Sequence, residues 1–152
     1  MKYIILLFTF LLACSKSSQP TTLKIDYTTQ DGVKLISGGF KVDKLEFQQE
    51  VRYVAGIWQQ ALDKEKISCK ALPSLKGITV QYKEYPFISS ATKNKVYGET
   101  YPGKKLLLVG WHKDIKYSAL GHEIGHYILY ACKQDYMEDN LLKWAKKYKL
   151  PY

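Results

Sequence analysis

Residues 122–126 read His-Glu-Ile-Gly-His. An α-helix advances about 100° per residue, so His122 and His126 stand about 40° apart on one face, one turn above the other. Two imidazoles placed this way can hold one cation. The residue types suit zinc, which takes imidazole nitrogen in a tetrahedral set and, where it is catalytic, keeps one position open for water. Glu123 lies on the neighbouring strip. It is out of line for coordination but well placed to reach that water as a general base. The chemistry implied is zinc-dependent hydrolysis of a peptide bond, with His122 and His126 as ligands and Glu123 as the catalytic residue.

The surrounding residues must position this pair. Tyr117 to Cys132 contains no proline and precedes the polar run Lys133-Gln134-Asp135, which predicts a helix. Leu120, Ile124, Tyr127 and Ala131 recur at spacings of four, three and four, marking a core-facing stripe. His122, His126 and Leu129 fall on the opposite side. Gly121, Gly125 and Cys132 form a third strip of small side chains. Each helical glycine costs about 1 kcal/mol relative to alanine. Close approach of a strand or substrate backbone, or simple close packing, would offset that cost.

A catalytic zinc site needs a third protein ligand. Downstream of His126 the candidates are Asp135, Glu138 and Asp139, and His112 is a fourth, just after a predicted strand. A second helix is predicted over residues 136–148. Met137, Leu141, Leu142, Trp144, Ala145 and Tyr148 give it an inward face, and Glu138 shares that face. Asp139 lies beside Lys143 and Lys146, toward water. A helical hairpin would return Glu138 to His122 and His126. The competing reading of Asp135 and Glu138 is a capping box, with Glu138 folded back onto the cap amide.

Through His122-Glu123-Ile124-Gly125-His126 and the apolar residues around it, the chain resembles the zincin superfamily of metallopeptidases. The resemblance is specific to this motif. The metzincin extension requires Gly at 129 and His at 132, where this chain has Leu129 and Cys132. No downstream segment matches the thermolysin-like ligand helix. The stretch Asp135-Tyr136-Met137-Glu138 is similar to that of small bacterial zincin-like proteins, in which the third ligand, often His, begins the next helix. The resemblance implies a minimal α+β fold: a backing helix, a small three-stranded sheet, the active-site helix and a short C-terminal helix.

The N-terminus carries a different signal. Met1-Lys2 gives a short basic start, and residues 3–12 are almost wholly apolar. Residues 1–13 therefore read as a signal peptide, too short for a stable membrane span. Leu11-Leu12-Ala13-Cys14 resembles the bacterial lipobox, which implies cleavage before Cys14 and lipidation of that residue. Residues 14–22 then form a flexible tether, and residues 23–152 one domain. The location implied is the bacterial cell envelope, anchored by lipid at the outer membrane or on the periplasmic face. Cys69 and Cys132 remain as an even pair, which in an oxidising compartment suggests a disulfide.

The rest of the chain supplies the scaffold. Asp43 can cap a helix, Glu46 can close the box, and Val42 can staple onto Phe47. Phe47, Val51, Val54, Ala55, Trp58, Ala61 and Leu62 form its apolar stripe. Pro73 and Gly77 mark a turn. Residues 78–82, 96–101 and 105–111 read as strands, and one of the last two would offer its edge to an extended peptide. The net charge is +9, with scattered lysines and no phosphate-binding or nucleic-acid motif. Such a charge suits an anionic surface or acidic substrate, or plain solubility. The expected partners are a peptide or protein substrate and, through the lipid, a membrane; nucleic acid is not among them. The alternative is a non-catalytic lipoprotein on the same scaffold that binds metal or a protein partner.

Overall fold

A computed structural model describes residues 24–114 and 119–150. The expected signal peptide, Cys14 and the expected tether lie outside the described residues. Among those described, no helix is long and apolar enough to cross a membrane.

The fold is α+β. Its strands are β1 (Tyr27–Thr28), β2 (Lys34–Ile36), β3 (Thr79–Lys83), β4 (Phe87–Ile88), β5 (Lys95–Val96), β6 (Gly98–Tyr101) and β7 (Leu106–Gly110). Its helices are α1 (Lys44–Lys64), α2 (Ala71–Ser74), α3 (Leu120–Ala131) and α4 (Glu138–Tyr148). Five strands form one mixed sheet in the order β1-β2-β3-β7-β6, and β4 and β5 form a separate hairpin. Strand β3 runs parallel to both β2 and β7, whereas β6 runs antiparallel to β7.

This corrects the expected three-stranded sheet. Strands β1 and β2 are two and three residues long, too short to display an alternating pattern. They exist because β2 pairs with β3 across forty-odd residues of sequence, as Leu35 opposite Val80. The single strand expected over residues 96–101 divides at Tyr97. Val96 pairs with Phe87 in the hairpin, and Gly98–Tyr101 joins the main sheet. Pro73 lies within the short helix α2 rather than in a turn.

Helix α1 starts where its cap residue stands: Asp43 Oδ1 accepts the Glu46 amide at 2.8 Å. Every residue of its predicted stripe is buried. That stripe meets Val80 and Tyr82 of β3, Leu107 and Val109 of β7, and Leu120, Ile124, Tyr127 and Ile128 of α3 in one core. Leu129 is also fully buried and does not share the polar side with the histidines. On α4, Leu141 and Ala145 are buried, but Met137 and Leu142 are exposed, which narrows the expected inward face.

Gly125 reveals what brings the helices together. A Cβ there would lie 2.6 Å from Trp58 Cζ2 of α1 and 2.8 Å from Leu141 Cδ1 of α4. Close packing, not a strand backbone, accounts for this glycine. Gly125→Ala gains about 1 kcal/mol of helix propensity. It also forces the buried Trp58 ring aside, and overpacking of that kind costs about 1–3 kcal/mol. The net expectation is a lower urea midpoint at an unchanged slope; a midpoint equal to or above wild type would show that the core has slack here.

Candidate metal centre

Helix α3 presents His122 and His126 on adjacent turns, and the first residue of α4 returns Glu138 to them. His122 Nε2 lies 3.0 Å from His126 Nε2. Glu138 Oε2 lies 3.2 Å from the first and 3.1 Å from the second. Among the described residues, His122, His126 and Glu138 are the group whose donor atoms converge closely enough for one metal ion. An ideal tetrahedron with bonds of about 2.05 Å has edges of about 3.3 Å, so the observed triangle is close to one face of such a site.

The protonation pattern fits a cation. His126 Nδ1 is 2.5 Å from the Tyr136 carbonyl. A carbonyl only accepts, so Nδ1–H donates and Nε2 is the ring atom that faces His122 and Glu138. A backbone carbonyl orienting a ligand imidazole in this way is a common second layer around metals. Burial draws His122 below its ordinary range. The neighbouring Glu138 carboxylate opposes this, and His126 adds to the lowering. Three electron-pair donors thus crowd one point, an arrangement that a divalent cation stabilises.

The loop between the helices brings in the third donor. Lys133 adopts a left-handed conformation, φ +58°. The amide of Lys133 donates to the Tyr130 carbonyl, and that of Gln134 to the Leu129 carbonyl. This closes α3 in a Schellman-type end and turns the chain back. Asp135 then accepts the Met137 amide at 3.0 Å. Glu138 does not close a capping box: its carboxylate is 55% exposed and lies at the two imidazoles. Asp135 and Asp139 are not part of the converging group. Nor is His112, whose ring lies against the Asp114 backbone in a small recess near the start of α1.

The carboxylate of Glu123 is placed by β6. Glu123 is only 3% exposed. Thr100 Oγ donates to its Oε2 at 2.5 Å. A Cβ on Gly98 would sit 2.2 Å from its Oε1, so only glycine leaves room at that point of the strand. Burial pushes Glu123 up to about 8, against the pull of the Thr100 bond, with the charges of Glu138 and Glu99 adding to the rise. Sequence reasoning missed both β6 residues. Their only trace is that positions 98 and 100 alternate onto one face of a strand.

These groups line an open cleft of about 380 Å³, with Gly98, Thr100 and Pro102 on one side and Tyr136, Met137 and Glu138 on the other. Strand β7 is interior, so of the two strands with an expected free edge only β6 has one. The Gly110 amide donates to the Tyr97 carbonyl at 2.7 Å. Antiparallel pairing alternates, so the backbone groups of Gly98 and Thr100 point away from β7, toward that edge.

The two cysteines form a disulfide, with Cα atoms 5.4 Å apart. It joins the segment between α1 and α2 to the residue that follows α3. No protein-family model, curated protein or solved structure matches this chain.

Proposed function

We propose that this chain is a zinc-dependent peptidase held on the bacterial envelope by a lipid at Cys14, built as a minimal zincin. The observation that carries this reading is the convergence of His122 Nε2, His126 Nε2 and Glu138 Oε2 within 3.2 Å, beside a buried carboxylate in an open cleft. His122, His126 and Glu138 would hold the ion. Zinc, when bound, supplies Lewis acidity toward a water and a substrate carbonyl.

The chain's own residues do the rest. The free edge of β6 lets an extended peptide pair with the backbone of Gly98 and Thr100. Glu123 takes the proton of the attacking water and passes it to the leaving amine. In the metal-free protein its carboxyl, raised to about 8, is protonated at neutral pH. A nearby cation favours the ionised form, so the base is armed only when the site is loaded.

The same burial of Glu123 is the observation that favours a second reading, a zinc-binding envelope protein without turnover. One experiment separates the two. Zinc content after dialysis should be one ion per chain. His126→Ala should abolish it, and Glu138→Ala should weaken affinity by at least about 10–100-fold, the range for residues supporting a metal. The loaded protein should cleave a mixed peptide library, lose that activity to a chelator and regain it with zinc. Stoichiometric zinc without cleavage selects the second reading, and the absence of any retained divalent ion ends both.

A further inference from the structure

Thr100 does more than border the cleft. Its hydroxyl lies 2.5 Å from Glu123 Oε2 and 3.2 Å from the main-chain carbonyl of the same residue. A hydroxyl carries one hydrogen and two lone pairs, so these two oxygens offer it two arrangements. When Glu123 is ionised, Thr100 donates to Oε2. The longer contact, to the carbonyl of the same residue, keeps the hydroxyl over Glu123.

A general base acts only from a fixed position within hydrogen-bond reach of the proton it takes. We propose that Thr100 is a positioning residue for Glu123: it holds Oε2, which leaves Oε1, under Gly98, as the oxygen that serves the cleft. The hydroxyl is anchored on a strand paired along its length to β7, and the missing Cβ at Gly98 keeps that strand close enough to reach the carboxylate. The role in turnover rests on the peptidase reading given above; the grip itself does not.

The test compares zinc-loaded wild type, Thr100→Val, Thr100→Ala, Thr100→Ser and Glu123→Gln in the full chain. Val keeps the branched shape and removes the hydroxyl, Ala does so without added bulk, and Ser restores it. Zinc content and melting midpoint establish that each variant is folded and loaded. On a cleaved peptide, kcat should fall about 10–100-fold in Val and Ala, the usual cost of losing a residue that orients the reacting groups, with KM within about twofold and Ser recovering most of the loss. The carboxyl carbon resonance of Glu123, assigned by its disappearance in Glu123→Gln, should move in Val and Ala and return in Ser. Unchanged kcat and an unmoved resonance in either folded variant overturn the proposal. If wild type cleaves nothing, the peptidase reading fails, and the resonance alone decides whether Thr100 holds the carboxylate.

Discussion

Glu123→Gln is expected to lower peptide turnover by about 10²–10⁴-fold, the contribution of a positioned general base, while zinc content stays at the wild-type value. Glutamine has nearly the same shape, still accepts from Thr100, and lies outside the converging donor group. It cannot take a proton from water at neutral pH. Equal turnover in the variant would remove Glu123 from its role. The substitution also carries a stability effect of known sign. The folded-state pKa of Glu123 is raised above its ordinary value of 4.5 to about 8. The folded chain therefore binds this proton more tightly than the unfolded chain, and stability falls as pH rises from about 4.5 through about 8. Glutamine carries no such penalty. After chelation, the variant should melt close to wild type at pH 5 and above it at pH 9.

Reducing the Cys69–Cys132 bond is expected to lower stability by about 4 kcal/mol, the chain-entropy value for a loop of this length, given a sequence separation of 63. For a domain of this size that corresponds to a fall in melting midpoint of about 10–20 °C. The effect should act mostly through the unfolded chain. In the folded state the Cys69 segment has independent hold: Gln59 of α1 accepts the Ala71 amide at 2.9 Å and donates to the Cys69 carbonyl at 3.3 Å. The native fold should therefore survive reduction at low temperature. A phosphine reductant and the double variant Cys69→Ser, Cys132→Ser should give the same shift; a midpoint within about two degrees of the oxidised protein would show that the bond adds no net constraint. Cys132 directly follows α3 and opens the loop that carries the Tyr136 carbonyl and Glu138. Zinc affinity measured on reduced, folded protein at low temperature would report whether that loop needs its covalent anchor.

What could be read from residue order alone is what depends on neighbours a few positions apart. The cap at Asp43, the stripe from Phe47 to Leu62, and the shared face of His122 and His126 all follow from helical periodicity, because one turn places i and i+4 together whatever the rest of the chain does. Strands β3 and β7 were legible for a similar reason: residues 78–82 alternate at the two-residue period of a strand, and β7 is a nearly continuous apolar run.

The tertiary structure decided everything that required two distant segments to meet. Helical periodicity put Glu138 on an inward face but left a capping role open to it, and its approach to the histidines depends on the left-handed turn at Lys133 and the packing of Trp58 and Leu141 on Gly125. Leu129 looked polar-faced on a helical wheel, yet it is buried, because the core reaches further round α3 than one stripe. The free edge at β6 is a property of strand order: β7 lies between β3 and β6, and β6 ends the sheet. Thr100 and Gly98 came to Glu123 by the same route. Local spacing selects the chemistry a turn of helix can offer, while the surroundings that orient and desolvate it arise only when remote surfaces close on one another.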